Sequence, residues 1–125
     1  MKRALLSLLL LAGCSTHPGM GWSRAPDLSV YSAMTTFGGT ARDHSVLCSG
    51  FGSARVEARW QRAFAARETA VEAALTARHG GEAVRRAQAQ GLEAQRAPCP
   101  EVPNDSWRDH YVRLLRLLET RLGLA

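Results

Sequence analysis

Between Ser53 and His79 the apolar residues recur at Val56, Trp60, Phe64, Val71 and Leu75. That spacing of close to four places them on one face of a helix. Ala63 and Ala74 widen the face, and Ser53 is placed to cap its start. His79-Gly80-Gly81 supplies a stop, with glycine where a helix C-terminus favours it. A helix this long with one apolar face must bury it against other elements, and those elements have to come from the rest of the chain.

Two further helices are expected. Residues 82–96 have good helical composition but weak amphipathicity: Val84 and Leu92 share a stripe with Gln88, Gly91 and Gln95. Such a helix packs through its alanines or lies at the rim. Ala97-Pro98-Cys99-Pro100 ends it, and Pro103 keeps the connection extended. Asn104, Asp105 or Ser106 then caps a last helix over about 105–122. Its apolar face is Trp107, Tyr111, Leu114, Leu115, Leu118 and Leu122, and Gly123 closes it. Residues 27–52 read as a lead-in. Asp27 caps a short helix over Leu28, Tyr31 and Met34, or the stretch is irregular, because Val30, Thr35, Thr36 and Phe37 favour strand. Gly38-Gly39 ends whatever forms there, and 45–52 is small and glycine-rich. The expectation is therefore all-α: a small three-helix bundle over 53–125, with helices at about 53–79, 82–96 and 105–122. Its core anchors are Trp60, Phe64, Trp107, Tyr111, Leu115 and Leu118.

The chain opens with Lys2 and Arg3, followed by Ala4 to Ala12, in which Ser7 is the single polar residue. The run is shorter than the roughly 20 residues that span a bilayer, and it has the charge and length of a secretory signal. It ends in Leu11-Ala12-Gly13-Cys14, which resembles the lipobox of bacterial lipoproteins. The resemblance covers only these N-terminal residues and names a processing class. It implies a signal peptide at 1–13, a diacylglycerol on the Cys14 sulfur, and cleavage before that cysteine. The covalent lipid is the one non-protein group it requires, and no other cofactor is expected. Residues 14–26, rich in Gly, Ser and Pro, would be the lipidated tether. In Gram-negative lipoproteins aspartate after the lipidated cysteine favours inner-membrane retention, so Ser15 resembles the outer-membrane pattern. The implied location is the cell envelope, on the outer membrane facing the periplasm, with the membrane as a partner through the lipid.

With Cys14 given to lipid, Cys48 and Cys99 remain. An even remainder in an oxidising compartment reads as a disulfide. It would close a loop of roughly fifty residues, worth about 4 kcal/mol on chain entropy. The two cysteines can meet if the first two helices of the bundle form an antiparallel hairpin.

The formal charge of +5 falls to about +3 once Lys2 and Arg3 are cut away, and every remaining basic residue is arginine. A GC-rich coding sequence accounts for that usage as readily as function does. So modest a charge does not point to nucleic acid. Arg55, Arg59 and Arg62 line one side of the start of the first long helix. They are either a solvated face or a stripe that contacts anionic envelope material; if the stripe lies toward the anchored end, it would rest against the membrane. Arg67 and Arg78 fall on the apolar face, where they snorkel or pair with a carboxylate such as Glu119.

Cys48 and His44, four apart, are the one nucleophile-and-base combination, and a disulfide would silence it. His44, Cys48, His79, Cys99 and His110 lack the paired spacing of a metal site, so neither a metal nor a catalytic residue is expected. The chain reads as a non-enzymatic interaction module at the membrane surface, binding an envelope protein or an anionic envelope polymer. One alternative is an accessory subunit of an envelope complex, docking through the 82–96 helix or through Val112 and Leu117. A second is a thiol-dependent enzyme or redox protein using Cys48.

Overall fold

The computed structural model describes residues 21–94 and 106–125. The signal segment 1–13, Cys14 with most of the tether, and residues 95–105 with Cys99 lie outside the described residues. Within them the chain is helical throughout. A 3-10 turn at Trp22–Arg24 leads into four helices: α1 (Asp27–Leu47), α2 (Ser53–His79), α3 (Gly81–Glu93) and α4 (Ser106–Arg121).

The largest departure from expectation is α1. The segment read as a short or irregular lead-in is a helix of 21 residues. It is the central element of the bundle, packing most extensively on α4 and α3. Gly38-Gly39 does not end it. A Cβ added at Gly38 would lie 2.9 Å from Tyr111 Cδ2 and 3.2 Å from Trp60 Cζ2. Glycine is present because two aromatic rings occupy the space of a side chain, and that packing outweighs the roughly 1 kcal/mol helical cost of glycine. Thr35, Thr36 and Ser45, which favour strand or loop, return their hydroxyls to carbonyls four residues back, Tyr31, Ser32 and Ala41, so their competition with the helix is absorbed locally.

Gly91 does the same for α3. A Cβ there would stand 2.4 Å from the Ser32 carbonyl oxygen and 2.8 Å from Thr35 Cβ. The backbones of α1 and α3 therefore nearly touch, and the Thr36 hydroxyl donates across the crossing to the Gly91 carbonyl at 2.7 Å. The buried residues of α3 are Val84, Ala87 and Gly91. Its stripe of small residues is the packing face, while Leu92 points outward.

The other helices follow the apolar pattern. Trp60, Phe64, Val71 and Leu75 of α2 meet Tyr111, Leu114, Leu115 and Leu118 of α4 and Val30, Tyr31 and Met34 of α1 in one core. Leu75, Leu115 and Leu118 are wholly buried, each worth about 1.5–3 kcal/mol. Trp107 is half-buried at the edge, stacked on Phe37 at 6.0 Å. Val112 and Leu117 are packed against the core, because α1 covers the side of α4 that a three-helix arrangement would have left open.

Ser53 and Ser106 are first helical residues. Gly52 flanks α2 without a side-chain cap. Gly80 alone links α2 to α3 at φ +87°, and Gly123 follows α4 at φ +72°.

Polar clamps fix the helix ends. Arg67 grips Glu119 with both prongs, at 2.9 and 2.5 Å. The guanidinium holds the Glu119 carboxyl below its ordinary range, and the carboxylate raises the Arg67 pKa in return. Arg121 donates to the carbonyls of Trp22, Ser23 and Ala25 at 2.9, 2.7 and 2.6 Å. Asp27 meets Arg121, His79 and Arg78 at 3.4, 3.3 and 3.9 Å. The start of α1 is thereby locked to the last turns of α2 and α4.

Replacing Gly91 by alanine tests the helix crossing. The gain in helix propensity, about 1 kcal/mol, should be outweighed by overpacking against a backbone oxygen, typically about 1–3 kcal/mol. Thermal unfolding of Gly91→Ala should therefore fall several degrees below the parent. Gly81→Ala, whose Cβ meets the flexible tip of Arg85 at 3.4 Å and Thr76 Cγ2 at an ordinary 3.7 Å, should melt at or above it.

Candidate functional site

The stripe Arg55, Arg59, Arg62 starts from helical spacing: Arg55 and Arg59 are one turn apart, about 6 Å along the axis. The fold turns two of its members into a site. A cleft of about 430 Å3 opens between the C-terminal end of α1, the α1–α2 connection and the first turns of α2 and α4. Arg55 and Arg59 of α2, Arg108 of α4 and His44 of α1 all line it. Trp60 and Phe64 close the base, with Val56 and Phe51 adding apolar surface. Arg62 is exposed outside the cleft.

The electrostatics are one-sided. Arg55, Arg59 and Arg108 are exposed, and among the described residues none of them forms an ion pair. Glu57, the acid nearest in sequence, is engaged by Arg42 at 3.4 Å and by the Gln61 amide at 2.9 Å. Arg108 lies over the Phe64 ring with its guanidinium carbon 5.4 Å from the centroid, and Arg42 covers Trp60 at 5.1 Å. Three arginines thus line one space, and among the described residues no carboxylate lines it with them. Like charges one helical turn apart cost a few tenths of a kcal/mol, a cost that a bound anion would reverse.

The base of the cleft is rigid. Trp60, Phe64 and Tyr111 pack as a triangle with centroids 4.6–4.8 Å apart, close to the favoured separations for tilted rings. Glu68 of α2 accepts from both Trp60 Nε1, at 3.1 Å, and the Tyr111 hydroxyl. One turn on, Glu72 accepts from the Tyr31 hydroxyl at 3.0 Å. Burial, and then the adjacent carboxylates, push both phenols well above their ordinary pKa.

The other candidates are scattered. His79 meets Asp27 at the far pole, and His110 packs on Phe37 at 5.0 Å. Cys48 follows the last turn of α1, its N–H donating to the His44 carbonyl at 2.9 Å. Among the described residues no three His, Cys, Asp or Glu side chains converge as a metal site would need. No described helix is long and apolar enough to cross a membrane.

Sequence spacing reached Arg55 and Arg59 and missed Arg108. Nothing in the order of residues says that the first turn of α4 meets the first turns of α2. His44 was singled out for its distance from Cys48 and belongs instead to the cleft lining.

The cleft and the N-terminal turn occupy opposite ends of the bundle. Arg55 opens α2, whereas His79 closes it beside Asp27 and the Trp22–Arg24 turn. Some 24 residues of helix separate the two, about 35 Å at 1.5 Å each. No protein-family model matches the chain, and neither the curated proteins nor the solved structures hold a significant match to it.

The buried phenols give an alkaline signature. Tyr31 and Tyr111 are the two tyrosines of the chain. Unfolded, each ionises near its ordinary value of about 10; folded, each resists. Their contribution to stability is complete below that value and is lost as pH rises beyond it. In an alkaline titration, phenolate absorbance should therefore appear together with loss of the helical circular dichroism signal. Phenolate absorbance rising at ordinary alkaline pH in a fully helical protein would contradict the buried placement.

Proposed function

We propose that the protein is a non-enzymatic binding module, held at the envelope membrane through a lipid on Cys14, that presents its cationic cleft to an anionic partner. The observation that carries this reading is that Arg55, Arg59 and Arg108 line one cleft to which no described carboxylate contributes. Arginine forks match carboxylate and phosphate geometry. The anchoring half rests on the lipobox resemblance at Leu11 to Cys14. The two halves are compatible in space, because a tether reaching Trp22 arrives at the pole opposite the cleft. A domain so held points its arginines away from the anchoring membrane, which favours a partner in the periplasm over the headgroups beneath it.

The Cys48–Cys99 disulfide belongs to the same proposal. It would tie the end of α1, beside the cleft, to the connection between α3 and α4. Alkylation of the denatured, unreduced protein from the envelope fraction should find no free thiol at Cys48 or Cys99. Two reactive thiols there would instead favour the thiol-dependent alternative.

The functional reading is tested by crosslinking in cells, comparing the native protein with Cys14→Ala and with a variant carrying Arg55→Glu and Arg59→Glu. The expected outcome is a discrete envelope partner captured by the native protein, reduced in Cys14→Ala and lost in the charge reversal. Equal capture by all three would remove both the anchor and the cleft from the function.

A further inference from the structure

Resting on the binding-module reading, we infer that the cleft takes an acidic peptide segment of a partner protein, in extended conformation, with carboxylates at alternate positions and apolar side chains between them. Three features of the cleft lead there. The first is spacing. Arg55 and Arg59 are about 6 Å apart along α2, and alternate residues of an extended chain are about 6.6 Å apart. Two carboxylates of one strand face thus reach two guanidiniums without distortion, and Arg108 on the facing helix can take a third.

The second feature is the apolar surface beside the charge. Phe51 lines the cleft and is 45% exposed, and Leu47, just ahead of it at the end of α1, is 63% exposed. Both are among the few large hydrophobics left in solvent, and they sit beside the connection that edges the cleft. The side chains that alternate with carboxylates in an extended segment point to the opposite face. They would cover Phe51 and Leu47 while the acids engage the arginines.

The third feature separates a peptide from the other anions of an envelope. Stacking of a sugar ring needs an open aromatic face; Trp60 and Phe64 are almost wholly buried with Arg42 and Arg108 over them, which leaves only Phe51 in the described lining for a ring to stack on, whereas an extended peptide uses Phe51 and the three arginines together. A phospholipid needs an apolar channel for its acyl chains, and the base of this cleft is closed by the packed triangle of Trp60, Phe64 and Tyr111. The volume of about 430 Å3 suits a few residues of peptide.

The test uses the full-length lipidated protein in zwitterionic detergent micelles and a fluorescein-labelled decapeptide of alternating glutamate and leucine. Fluorescence anisotropy should show saturable binding. The Arg55→Glu, Arg59→Glu double variant should weaken it about tenfold or more, as expected for the loss of charge-assisted hydrogen bonds, while Arg62→Glu, outside the cleft, leaves it within about twofold. All these side chains are exposed, and circular dichroism checks that each variant remains helical. A decapeptide with glutamine for glutamate should bind at least tenfold more weakly, and one with the leucines replaced by serine should also lose affinity. Dihexanoyl phosphatidylglycerol supplies a soluble lipid phosphate as competitor. If it binds the cleft more tightly than the peptide, and Arg55→Glu, Arg59→Glu abolishes that binding, the occupant is a lipid headgroup and the peptide assignment is overturned. Equal losses in Arg62→Glu and in the cleft variant would show diffuse charge attraction and overturn it as well. Absence of peptide binding alongside an anchor-dependent crosslinked partner would end this inference and leave the binding-module reading standing.

Discussion

The bundle depends on how closely its helices approach α1, and two glycines set that distance. At Gly38 the rings of Tyr111 and Trp60 fill the position of a side chain; at Gly91 the backbone of α3 lies against Ser32 and Thr35. Only with both contacts in place does α1 pack simultaneously on α4, α3 and α2. The aromatic triangle takes its geometry from the first of them, because Tyr111 is wedged between α1 and the aromatic face of α2. The cleft inherits that geometry in turn, since the same triangle is its base.

A second constraint acts on the polar groups. Large aromatic side chains carry donors that are usually satisfied when buried, and α2 supplies acceptors on consecutive turns, Glu68 for Trp60 and Tyr111 and Glu72 for Tyr31, whereas the buried Trp107 Nε1 has no hydrogen-bond partner among the described residues. These acids are thereby committed to the interior. Glu57 is committed to Arg42, and Glu119 to Arg67. These carboxylates hold helices together, and among the described residues Arg55, Arg59 and Arg108 have no ion-pair partner.

Much of this was legible in the residues. The period of α2, its Gly80 stop, and the apolar face of α4 from Tyr111 to Leu118 follow from spacing alone, as does the possibility that Arg67 meets Glu119. The helix α1 was not legible, because its local signals point elsewhere. Thr35, Thr36 and Phe37 favour strand, and Gly38-Gly39 is ordinarily a break. What overrides them is contact with residues more than 20 positions away, Trp60, Gly91 and Tyr111 among them, which a local window does not include. The weak amphipathicity of α3 had the same origin, for a stripe of Ala and Gly looks poor until a backbone is known to lie against it. For the cleft, the pair Arg55 and Arg59 was visible in the helical repeat, while Arg108 and His44 joined it only through the tertiary arrangement.

The clamp of Arg121 has a mechanical meaning. One guanidinium holds three successive stretches of backbone around the Trp22–Arg24 turn, and Asp27 ties the same corner to Arg78 and His79. A pull on the residues preceding Trp22 would be spread at once over the ends of α1, α2 and α4. The far pole would feel little of it, so the shape of the cleft would not depend on tension applied at this corner.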